Sequence, residues 1–325
     1  MTQPKPDNVF VRSNWDLISG MHHFSHQAMA TIFEIFIIHT DAKYAEQAAW
    51  AAFDELDRLE AELSKFIENS DISRINNLTT NQPLQIGLPA FECLQLSTLI
   101  CNETNGAFDV TIGSLLDYWL NEDKTIRCPS EEKLALARKQ TGTKLFKLDE
   151  ANHTVQLLTS PLQLDLGGIG KGYAIDQMAK LLDDWDIDTA LIHSGFSSVL
   201  AIGAPPDTKG WPLTLSNPPN HKQTLAYLYL QNRAVSGSGL QKGQHIIDPR
   251  TARPAEGKIA AWAIATNAAT ADALSTAFMV MSPDEVKQYC TNHPNVSAMA
   301  VIQEQGKNKG KILRCGCWKE DTLLK

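Results

Sequence analysis

The sequence predicts one α+β domain with a helical N-terminal part. Three features carry that class. Two long segments before residue 105 repeat apolar residues at helical spacing, and short runs of branched and aromatic residues dominate after Leu145. No strong linker divides the 325 residues, and the chain holds no internal repeat or low-complexity tract.

In chain order, residues 31–39 (TIFEIFIIH) read as a strand. Residues 42–66 read as a long helix that buries Ala48, Ala52, Leu56, Leu59 and Leu63, and a polar stretch follows to Asn76. A second helix over 89–104 stops at Asn105-Gly106, a usual helix-ending pair. Residues 121–143 are charged and peripheral, with one exposed helix over 130–139. Strands are expected at 155–158, 162–166, 190–193, 199–202 and 225–230, and 233–239 reads as a small-residue turn. Helices are expected over 173–185 and 268–281, and 296–302 closes the chain as a strand.

Composition bounds the function. An apolar share of 43% supports a full core, while a net charge of −8 leaves no broad basic surface for nonspecific nucleic-acid binding. Any phosphate site must be local. Residues 1–20 show neither a signal peptide nor a membrane span, so the expected location is cytoplasmic. The six cysteines are scattered and form no disulfide framework. Cys315-Gly316-Cys317 lacks a second ligand pair for zinc and reads as two reduced thiols on a C-terminal strand.

The stretch from Asp165 to Asp176 (DLGGIGKGYAID) is the least explained by folding alone. Four glycines, at 167, 168, 170 and 172, fall on an expected strand-to-helix turn, where free N–H groups favour an anion. A P-loop needs Ser or Thr directly after Gly-Lys, and Gly172 stands there; a dinucleotide fingerprint starting at Gly168 would end on Tyr173 instead of Gly. Two readings stay open, a tight packing turn or an anion site, and Lys171 inside the turn tips the balance toward the anion.

Two further groups could carry chemistry. His245-Ile246-Ile247-Asp248-Pro249-Arg250-Thr251 gathers titratable side chains on a proline-fixed loop, with His245 a candidate base. Asp272 and Thr276 lie four apart on one helix face, a carboxylate and a hydroxyl able to meet a hard cation.

Six segments in this order resemble the ApbE family: Met29-Ala30-Thr31; Leu63-Ser64 through Ser73-Arg74-Ile75-Asn76; residues 106–113 (GAFDVTIG); residues 165–176; His245 to Thr251; and Asp272 to Ala277. The resemblance runs from about Met29 to about Val301. It implies residues 1–28 as an N-terminal extension and 29–325 as an ApbE-like domain, an α+β fold related to the T-fold with mixed and antiparallel sheets. The implied activity is that of an FAD:protein FMN transferase. Such an enzyme moves FMN from FAD to a Thr or Ser hydroxyl of an acceptor protein and releases AMP, with Mg²⁺ (or Mn²⁺) as metal.

By motif, Met29, Phe66, Ala107, Phe108, Asp109, Asp165, Lys171 and Ile246 are implied to line the FAD site. The implied metal ligands are the Gly168 carbonyl with Asp272, Ser275 and Thr276. Three departures accompany the match. Phe66 replaces a frequent Tyr, residues 193–198 (HSGFSS) replace an Asn and paired-glycine turn, and Ala252 replaces a common Gly. Two alternatives keep the same site, a Mg²⁺-dependent FAD pyrophosphatase yielding FMN and AMP, and a non-catalytic FAD-binding protein.

Overall fold

In a computed structural model, an eight-stranded antiparallel sheet separates two cores of different character. The structure describes residues 11–13, 20–79, 81–121, 125–195, 197–217, 220–240, 245–303 and 310–318. Most of the expected 1–28 extension, part of the charged 121–143 stretch, Phe196 of the altered turn and residues 319–325 lie outside the described residues.

The strands are β1 (Val11–Ser13), β2 (Met21–Ala28) and β3 (Thr31–Ile38), and then helices α1 (Ala42–Leu63) and α2 (Asp71–Asn76). Strand β4 (Pro83–Gln85) precedes α3 (Leu88–Glu103), α4 (Gly113–Trp119) and α5 (Glu131–Lys139). Strands β5 (Phe146–Asp149) and β6 (Thr154–Leu157) lead to α6 (Gly170–Asp184), β7 (Ala190–Ser194) and β8 (Ser198–Ile202). Next come β9 (Trp211–Asn217), β10 (Asn220–Leu230), β11 (Arg233–Gly239), β12 (Ile247–Asp248), β13 (Arg253–Pro254) and β14 (Lys258–Ala265). The chain ends with α7 (Ala268–Val280), α8 (Pro283–Asn292), β15 (Ser297–Ile302) and β16 (Lys311–Cys315).

The large sheet has the order β16-β15-β14-β11-β8-β7-β3-β2. Its first hairpin, β2–β3, pairs Ala28 with Thr31 across Met29 and Ala30, so residue 29 falls at a hairpin tip. One sheet face carries large side chains such as Phe36, Leu191 and Trp262, which pack against Trp211 and Leu213 of the β1-β9-β10 sheet. The opposite face receives α1, α6 and α7, and on β11, β14 and β15 it is built from small residues, including Ala234, Ala261, Ala263, Ala265, Ala298 and Ala300. Small side chains let a helix approach a sheet closely, and α7 answers with Ala269, Ala273 and Ala277.

Several sequence expectations need correction. Residues 233–239 are not a turn but strand β11 inside the sheet; Gly237 and Gly239 alternate with Ser236 and Ser238, a period of two that glycine content concealed. Residues 162–166 are not a strand either. Leu162, Leu164 and Leu166 are buried as the alternation suggests, yet the backbone bonds go elsewhere. Leu164 N donates to Asn76 Oδ1 at 2.7 Å, Asn76 Nδ2 donates to Leu164 O at 3.1 Å, and Asp165 N donates to Val110 O at 2.7 Å. Helix α1 stops at Leu63, because Ser64 is already extended. Beyond 296–302, β16 adds an edge strand that ends at Cys315, the C-terminal strand expected there.

The segment around 121–143 is also less peripheral than its charge suggests. Leu115 and Trp119 of α4 and Leu134 and Ala137 of α5 form a small core with Ile247 and Ala252. Trp119 Nε1 donates to Ala252 O at 2.8 Å, and Arg138 donates to Thr251 O at 2.5 Å. That core holds the β12–β13 hairpin and, with it, the position of His245. Ala252 itself takes φ 58°, a left-handed conformation that costs a residue with Cβ about 1–2 kcal/mol. The burial of its methyl in the same core offsets part of that cost.

Asn76→Ala should cost roughly 1–3 kcal/mol in urea unfolding, because it strands the Leu164 amide and carbonyl. A change under about 0.3 kcal/mol would show that the 162–166 segment is held by its leucines alone.

Candidate metal and phosphate site

Helices α6 and α7 meet at their N-terminal ends, and the candidate site lies there. A Cβ on Gly172 would come within 2.3 Å of Ala268 O and 2.8 Å of Ala269 Cα, so only glycine permits this approach. One turn later, Asp176 caps the partner helix: its carboxylate accepts from Ala268 N at 2.7 Å and Ala269 N at 2.8 Å. Burial raises its pKa to about 6, against the pull of those two amides.

Asp272, 4% exposed, stands on α7 across from the glycine turn. Its Oδ2 accepts from Gly172 N at 3.2 Å and lies 4.0 Å from Lys171 Nζ. Its Oδ1 accepts from Ser236 Oγ at 3.1 Å and Ser198 Oγ at 3.3 Å. The anion expected at the start of α6 is therefore, in part, the protein's own carboxylate. That lowers the turn's affinity for a bare phosphate and suits it to a phosphate that arrives with a cation.

The other expected metal ligands gather around the same point. A Cβ on Gly168 would meet Thr276 Oγ1 at 3.2 Å and Phe108 Cε2 at 3.2 Å, a tight fit at which those side chains would have to give slightly. Ser275 Oγ and Thr276 Oγ1 both donate back to the Asp272 carbonyl, at 2.9 and 3.4 Å, and both lie beside Ser238 Oγ, at 2.8 and 3.2 Å. Among the described residues no three His, Cys, Asp or Glu side chains converge as a metal site. A cation held here would meet one carboxylate and several hydroxyl oxygens, a hard and incomplete donor set whose chemistry fits Mg²⁺ sharing ligands with phosphates.

Asp165 closes the turn from below. Its Oδ1 accepts from Gly167 N at 2.7 Å and its Oδ2 pairs with Lys65 Nζ at 2.8 Å, while Lys171 Nζ donates to Gly167 O at 3.1 Å. Lys65 also lies 5.2 Å from the Phe66 ring centroid, and Phe66 is 87% exposed.

Of the remaining expected residues, Phe108 touches the site, and the others lie on separate elements. Phe108 is buried beside Gly168, and Ala107 precedes it in the core. Asp109 is buried and turned inward: its Oδ1 accepts from Thr111 N at 2.8 Å and Thr111 Oγ1 at 2.6 Å, and burial raises its pKa. Met29 (φ 48°) sits at the β2–β3 tip, where the following Thr31 abuts Gly195 of the β7–β8 turn. Ile246 is buried in the main core, and His245 before it is half-buried. Arg250 of the same hairpin lies over Gly106 and is held by Asp248 and Glu285, the latter at 2.7 Å.

Sequence reasoning missed Ser198, Ser236, Ser238, Asp176 and Lys65. The first three were hidden by reading 233–239 as a turn and by treating 193–198 only as a departure. His193 of that departure points away from the site, into the core between the sheets, where burial lowers its pKa to about 4.

Fold and site together define an α+β protein with a lysine-flanked cluster of oxygen ligands at the N-terminal ends of two packed helices. The ApbE family model matches residues 29–300, and the chain belongs to that family. It is 25% identical over 295 residues to the FAD:protein FMN transferase of Klebsiella pneumoniae, covering 86% of this chain and 81% of that protein. It is 30% identical over 248 residues to the FAD:protein FMN transferase of Chlamydia muridarum, covering 72% of this chain and 75% of that one. The crystal structure of the ApbE protein of Thermotoga maritima superposes with a TM-score of 0.80 at 28% identity, over 91% of this chain and 97% of that one.

Gly172→Ala should destabilise the fold by roughly 1–3 kcal/mol, since an added methyl meets backbone that cannot rotate away. Thermal unfolding checks this, and an unchanged midpoint would mean that α6 and α7 part without cost.

Proposed function

We propose that this chain is a Mg²⁺-dependent FAD:protein FMN transferase that attaches FMN to a Thr or Ser hydroxyl of an acceptor protein and releases AMP. The observation that carries it is the convergence of Gly168, Lys171, Asp272 and Thr276 in one oxygen-lined cleft, in a chain whose relatives bear that name. Breaking a pyrophosphate asks mainly for positioning and neutralisation of oxygen charge. Asp272, Thr276, Ser275 and the Gly168 carbonyl are the ligands assigned to Mg²⁺, which when bound draws charge off the pyrophosphate.

The chain's own residues supply the rest. Lys171 is tethered to Gly167 O and remains 4.0 Å from Asp272, so its charge sits at the edge of the cleft, ready to face a phosphate oxygen. Phe66 offers an exposed aromatic face for the flavin ring, and Met29, Ala107, Phe108, Asp109, Asp165 and Ile246 are the residues assigned to the rest of the FAD site. The acceptor hydroxyl attacks the FMN phosphorus in line, the bond from that phosphorus to the bridging oxygen breaks, and AMP leaves with that oxygen. The hydroxyl proton passes to the imidazole of His245, which the α4–α5 core and the β12–β13 hairpin hold in place. No helix among the described residues is long and apolar enough to cross a membrane.

With FAD and Mg²⁺, AMP should appear only when an acceptor polypeptide with a reactive Thr is present. AMP without acceptor would mark a pyrophosphatase, and bound FAD with no AMP under either condition would mark a binding protein. His245→Ala should lower the transfer rate at saturating FAD by roughly 10²–10⁴-fold. An unchanged rate would remove His245 from the proton transfer.

A further inference from the structure

Three antiparallel strands place serines opposite one another on the helix-facing side of the large sheet. Ser194 of β7 pairs with Ser198 of β8, which pairs with Ser236 of β11. All three are fully buried. Two residues beyond Ser236, Ser238 points the same way. This hydroxyl row lies beneath α7, where an apolar sheet face would ordinarily receive a helix rich in Ala, Leu and Phe.

Three of the four serines touch the expected metal ligands. Ser198 and Ser236 reach Asp272 Oδ1, and Ser238 reaches Ser275 and Thr276. The contacts among Ser198, Ser236 and Asp272 can be ordered by proton supply. Ser198 Oγ to Ser236 Oγ is 2.8 Å, Ser236 Oγ to Asp272 Oδ1 is 3.1 Å, and Ser198 Oγ to Asp272 Oδ1 is 3.3 Å. Two hydroxyl protons cannot serve three contacts at once. The shorter pair wins: Ser198 donates to Ser236, and Ser236 donates to the carboxylate. Oδ1 is then engaged from the sheet, and Oδ2 is left toward the Gly168–Lys171 turn.

We infer that Ser236, supported by Ser198, is a positioning residue that fixes the Asp272 carboxylate so that one defined oxygen faces the cation. The inference rests on the metal assignment proposed above. Ser198 comes from the turn in which this chain departs from the usual ApbE pattern, so the departure supplies part of the support instead of removing it. Buried hydroxyl-to-carboxylate bonds of this kind orient ligands, and losing such support typically weakens metal binding roughly 10- to 100-fold.

Mn²⁺ binding to the FAD-saturated full chain, read by electron paramagnetic resonance, tests the assignment without relying on turnover. Ser236→Ala is expected to weaken Mn²⁺ binding roughly 10- to 100-fold, and Ser198→Ala by a smaller factor because it acts through Ser236. Ser194→Ala is the matched control. It deletes a buried hydroxyl of the same row that makes no hydrogen bond among the described residues, and it should leave Mn²⁺ affinity unchanged. Parental affinity in both Ser198→Ala and Ser236→Ala would overturn the inference, as would an equal loss in Ser194→Ala, which would signal a general packing effect. If Ser236→Ala does not fold, Ser198→Ala against Ser194→Ala decides by the same criterion. A parent that binds no Mn²⁺, or an Asp272→Asn variant that binds it as the parent does, would instead sink the metal assignment itself, and this inference with it.

Discussion

The approach of α6 to α7 at Gly172 and Ala268 sets the rest of the molecule. At that distance the amide of Gly172 reaches the Asp272 carboxylate, and the Asp176 carboxylate reaches the first amides of α7. The two helices thus exchange caps, each using an acid of the other to satisfy backbone donors at its start. Any side chain at position 172 would push them apart and open both caps together. The glycine-dense turn is for this reason both a packing device and a ligand-facing surface, and the two readings that the sequence left open are not alternatives.

The sheet beneath makes that approach possible through an unequal pair of faces. One face is filled by Trp211, Trp262 and Phe36 and binds a second sheet through bulk. On the other, the strands β11 and β14 beneath α7 present alanine and serine, so α7 lies low enough for serine hydroxyls to reach Asp272. A buried carboxylate is costly unless hydrogen-bonded, and here the sheet register sets Ser198 and Ser236 opposite each other beneath Asp272. The cleft therefore inherits its rigidity from strands that never touch a ligand.

Much of this was legible from residue order, and the failures share a cause. Helices α1, α3, α6 and α7 showed themselves by apolar periodicity, and β3, β7 and β8 by branched residues. Strand β11 did not, because serine and glycine serve there as close-packing residues and read locally as turn formers. The 162–166 segment misled in the opposite sense. Its alternating leucines are buried as in a strand, but the Asn76 side chain replaces a neighbouring strand, which no local pattern reports. Within the site, the meeting of Gly168 with Thr276 followed from motifs about a hundred residues apart, whereas Asp176, Lys65 and the serine row became visible only once helix and sheet were packed.

His245, the base assigned to the proton transfer, precedes a hairpin whose own core is drawn from α4 and α5. A divided origin of this kind, with charge handled by two helix ends and proton transfer assigned to a separately anchored loop, allows an acceptor hydroxyl to enter between them. The most direct test is a crystal structure with FAD and Mn²⁺ and the anomalous signal of the metal. The account predicts Mn²⁺ within about 2.0–2.6 Å of Asp272 Oδ2, the Gly168 carbonyl and Thr276 Oγ1, with pyrophosphate oxygens completing its ligands. Mn²⁺ bound elsewhere, or an FAD pyrophosphate that lies away from the Gly168–Lys171 turn, would contradict it.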